Sequence, residues 1–251
     1  MTEAAFAHPA FAPYRWRLEA DALPTADVLD AWARQAALAL PDGRALRFVE
    51  GRGGSALAYE SAIAAGLIRV RRDSLHDVLN ALVWLAFPRT KAALNARHVG
   101  DLASATPNAR SRARDAATLL DESGMILACA NGELVTLLRE HAWRELFFVR
   151  AEVVARDMRP LVIGHGLLAK LVAPYRAITA RTLVVAIDPA TLADGDAGQA
   201  VLDAATADAI ADPSWVPKRL LALPVAALPG WDREKLGERL FDDVRVFRPL
   251  P

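Results

Sequence analysis

The chain has 251 residues, 53% of them hydrophobic and 24% charged, with a formal net charge of zero. These proportions exclude a disordered chain, which is poorer in apolar residues and carries uncompensated charge. The length suits one large domain or two small ones, and the single cysteine, Cys129, excludes an intramolecular disulfide. In chain order, Thr25 or Asp27 caps a helical run from Ala26 to Leu40, with Val28, Leu29, Trp32 and Ala36 as its apolar stripe. Arg47-Phe48-Val49 reads as a short strand. Gly51, Gly53 and Gly54 make a flexible loop before a helix from 56 to 65, which Gly66 closes. Residues 67–71 alternate like a half-buried strand.

Three helices are predicted next, over 75–87, 89–98 and 110–122, with Ser74 and Asp77 as a capping-box-like start and Pro88 dividing the first two. Residues 101–108 read as a polar link. Met125 to Cys129 is a strand, Asn131-Gly132 a tight turn and Glu133 to Leu146 a helix. A strand over Phe147 to Ala155 follows, then a helix from Gly166 to Val172, a strand from Thr182 to Ile187, and a long helix from Asp188-Pro189 to Ala211. The remaining residues, with prolines at 213, 217, 224, 229 and 249, read as a tail packed over the body. Helices outnumber strands without alternating as a doubly wound sheet requires. The expected fold is therefore α+β: one helix-rich domain over 44–251 with a small sheet and an irregular Pro-rich C-terminal tail. Residues 1–43 form an N-terminal helical extension. The first residues lack a basic region followed by an apolar run. The longest apolar stretch, 161–173, is interrupted by His165 and Lys170 and is shorter than the ~20 residues of a membrane-spanning helix. A cytoplasmic protein without a membrane partner is expected.

Charge is zoned although the total is zero. Residues 44–114 hold twelve Arg/Lys against five Asp/Glu, with Arg69, Arg71 and Arg72 the densest group, followed by Arg89, Lys91, Arg97, Arg110, Arg112 and Arg114. Such a zone attracts phosphate, carboxylate or nucleic acid; it also reads as a solvated face balanced by the acidic C-terminal part. Aromatics are not interleaved with the arginines, as stacking on single strands would need.

The chemistry concentrates between His76 and Glu122. At 3.6 residues per turn His76, Asn80 and Trp84 share one stripe, opposite Leu75, Leu79, Leu82 and Leu85. An amide one turn from an imidazole can fix its tautomer. On the following helix Lys91, Asn95 and His98 share a face. On the third, Asp115, Thr118 and Glu122 share a stripe, and Arg114, Thr118 and Asp121 a neighbouring one. If these helices pack together, imidazoles, carboxylates and a lysine converge in one cleft, as general acid–base chemistry needs. The same residues also read as helix-stabilising ion pairs and hydrogen-bonded core groups, worth only ~0.3–0.5 kcal/mol per exposed pair. Gly164-His165-Gly166 places a histidine where backbone can approach a ligand, or simply in a turn. His141, beside Trp143, reads as packing, His8 as a terminal residue and Cys129 as inert. The sequence contains neither a His-x-x-x-His nor a paired-Cys motif, so no metal is expected, although His76, His98, His165 and an acid could be assembled into a site. Phosphate-loop and serine-elbow motifs are missing from the sequence, and the motifs name no cofactor.

Several blocks together resemble a bacterial protein family known only as a domain of unknown function. They are Arg47-Phe48-Val49, Tyr59-Glu60, and His76-Asp77-x-x-Asn80-Ala81-x-x-Trp84-x-x-Phe87-Pro88-x-x-Lys91-x-x-x-Asn95. Arg114-Asp115, Asp121-Glu122-x-Gly124 and Gly164-His165 follow, then Leu223-Pro224-Val225, Pro229-Gly230-Trp231 and Asp242-Asp243-x-x-Val246-Phe247-Arg248-Pro249. The resemblance spans about 45–250 and implies membership, not an activity. Leu75 stands where the pattern has Trp, and Leu240-Phe241 where it has Phe-Tyr.

The resulting expectation is an enzyme acting on a small anionic substrate. His76, Asp77, His98 and Asp115 are the catalytic candidates, and Asn80, Lys91, Asn95, Arg114 and His165 the substrate-binding ones. His76 acts as acid or base, Asp77 or Asp115 orients it, and Lys91 and Arg114 hold the anion. The alternative is a non-catalytic module binding nucleic acid or protein through the basic 69–114 region.

Overall fold

The computed structural model describes residues 6–18, 22–52, 55–104, 112–232 and 234–250. Helix α1 (Ala26–Gln35) starts at Thr25, whose hydroxyl accepts from the Val28 amide, and stops when Ala37 takes a positive φ of 48°. It is shorter than the predicted run to Leu40. Strand β1 (Arg47–Glu50), helix α2 (Ala56–Ala64) and strand β2 (Leu67–Val70) form a small parallel β–α–β unit, with Phe48 opposite Ile68. Ser55 caps α2, and Gly66, at φ 91°, makes the turn into β2.

Helices α3 (Leu75–Ala86) and α4 (Pro88–Ser104) meet at Pro88. Ser74 caps α3. The cap of α4 comes from across the molecule: the Asp203 carboxylate accepts from the backbone amides of Arg89 and Thr90, at 2.9 and 2.8 Å. α4 runs on through the first part of the predicted polar link, and Arg110 and the remainder of that link lie outside the described residues. Helix α5 (Arg112–Ser123) runs without a loop into strand β3 (Gly124–Cys129), which is buried at every residue.

Two further expectations are corrected. Asn131-Gly132 opens a helix in place of the expected tight turn: Asn131 caps helix α6 (Gly132–Arg139) by accepting from the Glu133 amide. Phe147 to Ala155 is not a strand. It is a π-helical turn (Glu145–Val149) followed by helix α7 (Ala151–Asp157), and strand β4 (Met158–Val162) comes after it. Burial of Leu146, Phe147 and Val154 follows helical spacing, while Val149 is 61% exposed. Helix α8 (His165–Leu171) follows, then strand β5 (Thr179–Ala186). The predicted long helix divides at Asp194 into α9 (Pro189–Ala193) and α10 (Gly195–Ala211). The tail contributes a strand, β6 (Leu221–Pro224).

The main sheet has the order β4-β3-β5-β6, with β3 parallel to β5 and the other pairs antiparallel; Ile126 faces Leu161 on one side and Leu183 on the other. Pro160, which has no amide to donate, sits on the edge strand β4, where proline is tolerated. Helices α3, α4, α5 and α8 pack together beside this sheet, and α10 covers α4. The architecture is α+β, one helix-rich domain with two small sheets. Among the described residues no helix is long and apolar enough to cross a membrane.

Candidate functional site

α3 and α5 each bury an apolar side and leave a polar edge. On α3, Val78, Leu79, Ala81, Leu82 and Val83 are buried; on α5, Ala116, Ala117 and Leu120 are. That packing turns His76, Asp77 and Asn80 on α3, and Arg114, Thr118, Asp121 and Glu122 on α5, toward a shared hollow of about 310 Å³. The β–α–β unit closes another wall with Tyr59, Glu60 and Arg69, and Arg71 follows β2. α4 contributes His98 and α8 contributes His165.

The His76 and His165 rings meet edge to face with centroids 4.4 Å apart. His165 Nε2 is 3.5 Å from Glu122 Oε1, and its Nδ1 is 3.9 Å from Asp121 Oδ2. The second of these contacts is too long for a hydrogen bond, and Nδ1 is buried without a hydrogen-bond partner. Asp121 in turn forms an ion pair with Lys91, whose side chain is 4% exposed and whose ammonium lies 5.6 Å from the centre of the Trp84 ring.

Close approach of α8 to the end of α5 depends on glycine. A Cβ on Gly164 would lie 2.2 Å from the Gly124 amide nitrogen, and one on Gly166 would lie 2.6 Å from Glu122 Oε2 and 2.9 Å from its carbonyl oxygen. The two glycines flanking His165 are therefore what let its imidazole reach the Asp121-Glu122 pair.

Burial lowers the pKa of His76, and the neighbouring His165 lowers it further. Burial pushes Glu60 the other way, above the usual carboxylate range, against the hydrogen bond from Asn95. For Asp121 burial opposes ionisation, yet the Lys91 ammonium, with His165 and His98 behind it, holds the group below that range. Glu122 is lowered chiefly by its contact with His165. One hollow thus holds carboxyl groups with opposed tendencies, the pattern that divides acid from base roles.

A family model described as Protein of unknown function (DUF3025) matches residues 46–250. The chain belongs to the DUF3025 family. No curated protein and no solved structure matches it.

In this DUF3025 member the hollow brings together six of the nine residues expected from sequence: His76, Asp77, Asn80, His98, Arg114 and His165. Asp115, Lys91 and Asn95 are not in its lining. Asp115 shares its stripe of α5 with Thr118 and Glu122, which do line the hollow, but stands about two turns ahead of Glu122. Lys91 is not an accessible anion contact, because its charge is spent on Asp121. Asn95 donates to the Glu60 backbone and carboxylate at 3.0 and 2.6 Å and so braces the wall from behind. Asp77 does not orient His76: its carboxylate accepts from the Arg71 amide, Nε and Nη2, at 2.7–2.8 Å. Nor does Asn80 fix the His76 tautomer, since its amide donates to Tyr59 Oη at 2.8 Å.

Glu60, Arg69, Asp121 and Glu122 are functional candidates that the sequence reading did not single out. Tyr59-Glu60 was legible only as one of the family blocks, and the two acids only as members of alternative stripes. Arg69 carried no more signal than its neighbours. Three side chains could hold a cation. One ligand atom each from His76, Glu122 and His165 lie within 4.8 Å of one another. His98, which the sequence placed in a conceivable metal group, is not part of this set.

Proposed function

We propose that the hollow binds a small anionic substrate, a phosphate or carboxylate compound, and performs acid–base chemistry on it. His76, His165 and Glu122 form the proton-handling end. Arg69 and Arg114 attract the anion, while Asn80 and His98 help position it. The observation that carries this reading is the imidazole pair, with its carboxylate, opening on the same hollow as Arg69, a guanidinium with no acidic partner among the described residues. A cationic side chain left unspent beside two histidines favours an anion there. A cytoplasmic setting suits a chain whose sole cysteine, Cys129, is buried.

The alternative, nucleic-acid or protein binding through residues 69–114, draws less support. Arg71 is paired with Asp77, Arg72 with Glu50 and Lys91 with Asp121, and Arg97 donates to the Ile210 and Asp212 carbonyls. Much of the described basic zone is thus already paired within the chain.

The test is calorimetric titration of the full chain with inorganic phosphate and small dicarboxylates. Binding is expected, and Arg69→Ala should weaken it about tenfold or more, as loss of a charged hydrogen bond does. For a phosphate or carboxylate ester that the chain turns over, His76→Ala should lower the rate about a hundredfold or more. Absence of anion binding, or affinity unchanged in Arg69→Ala and Arg114→Ala, removes this reading.

A further inference from the structure

We propose that His76, Glu122 and His165 bind a divalent transition-metal ion, zinc foremost, at the wall of the hollow. The inference rests on reading this hollow as the working site and names the cofactor it would use.

Geometry supports it first. The three donors come from α3, α5 and α8, and their ligand atoms lie within 4.8 Å of one another. Bonds of about 2.0–2.1 Å in a tetrahedral arrangement would put them about 3.3 Å apart. His165 Nε2 and Glu122 Oε1 are already at 3.5 Å. Glu122 is half exposed on its side chain and can turn to complete the set. Two nitrogens and one carboxylate oxygen suit a borderline cation such as zinc and leave a fourth position open. All three donors line the hollow, so that position would be open to the anion of the previous section.

The second observation is the surroundings of His165. A histidine that ligates through Nε2 characteristically offers its Nδ1–H to a carboxylate, which fixes the ring and raises its basicity. His165 turns Nε2 toward Glu122, while its buried Nδ1 lacks a partner and stands 3.9 Å from Asp121 Oδ2. Asp121 is itself anchored by Lys91. A shift of about 1 Å would make this a proper hydrogen bond, giving a chain from Lys91 through Asp121 and His165 to the ion. The two imidazoles are not hydrogen-bonded to each other despite ring centroids 4.4 Å apart. A shared cation accounts for the approach of the two rings, and the Asp121 carboxylate stands ready for the orphaned Nδ1. Sequence spacing hides such a group because its members lie on three separate segments.

The experiment uses the tag-free full chain, stripped with a chelator and titrated with zinc, cobalt(II) and manganese(II). One equivalent of zinc is expected, and cobalt should give the visible absorption of a low-symmetry, four- or five-coordinate site. His76→Ala and His165→Ala should each lower zinc affinity about a hundredfold or more. Asp121→Asn should lower it about ten- to a hundredfold. His141→Ala, at a residue lining a different hollow beside Trp143 and Arg248, should leave it unchanged. Glu122→Gln, at a half-exposed position, keeps the test valid if a buried histidine variant fails to fold. No uptake of any of the three ions, or undiminished affinity in Glu122→Gln together with either histidine variant, overturns the inference. Phosphate titration of the stripped chain separates the two readings. Phosphate binding that depends on Arg69, without metal uptake, sinks the metal site alone; no phosphate binding with or without zinc sinks the anion reading.

Discussion

Lys91 and Asp121 lie at the back of the hollow with side chains only 4% and 18% exposed. The Coulombic attraction of such a pair is offset by the cost of drying both charges, so the pair adds little net stability, whereas removing one partner strands the other. Lys91→Met is therefore expected to destabilise the fold by about 3–5 kcal/mol, measured by urea denaturation at neutral pH. Adding Asp121→Asn to that variant should recover much of the loss, because no bare carboxylate is then left inside. Additive losses in the double variant would show that the two groups do not act as a pair. Stability is the readout here; the role of Asp121 toward His165 is tested separately by metal affinity.

Among the elements, α8 depends most on the absence of side chains. Gly164 sits against the backbone of β3, and the amide it would strike cannot rotate away; Gly166 is opposed partly by the mobile end of Glu122. Gly164→Ala should cost about 1–3 kcal/mol or more through forced backbone movement and should displace His165, and Gly166→Ala should cost less. Thermal melts of the two variants check the order, and equal losses would contradict it. The sequence makes part of this organisation legible. A 3.6-residue period is enough to place His76 with Asn80 and Arg114 with Thr118 and Asp121. It does not say how far the inward edge of α5 extends; burial of Ala116, Ala117 and Leu120 sets it so that Glu122 reaches the hollow while Asp115, from the same stripe, does not. On α4 the polar edge was equally visible, yet Asp121 and Glu60 cover its first two members and only His98 reaches the hollow. Strand β4 was masked by its own proline, tolerable only because the strand lies at an edge, and by a more β-like composition just upstream. Arg69 and Glu60 sit on short elements whose polar positions look like ordinary solvent-facing ones, so tertiary packing alone assigns them.

At the scale of the whole molecule, several described residues ahead of the family match belong to the same core as those within it. Phe11, Tyr14 and Leu29 are fully buried, and the Tyr14 hydroxyl donates to the Val162 carbonyl at 2.6 Å, three residues before His165. α1 is fastened to β1 through Asp30, which accepts from Arg47 Nε and Nη2 at 2.7 and 2.6 Å and from the Phe48 amide. Arg47 holds the Asp30 carboxyl below its ordinary pKa. A depressed folded value means that this clasp stabilises fully above the unfolded pKa of about 4 and is lost as pH falls through the lower folded value. The stability difference between the native chain and Asp30→Asn should accordingly stay constant from neutrality down to about pH 4 and shrink below it. Denaturation curves across that range measure it, and a gap that widens in acid would reverse the sign. The order of the chain carries a last consequence. Asp121 and Glu122 lie just ahead of β3, one of the two inner strands, whereas His165 arrives only after β4 has run back alongside it. A nascent or partly folded chain that has not closed that edge possesses the acids without their second imidazole. The second imidazole of the hollow is therefore supplied only once β4 has turned back along β3, while β5 and β6 of the same sheet are still to follow in the chain.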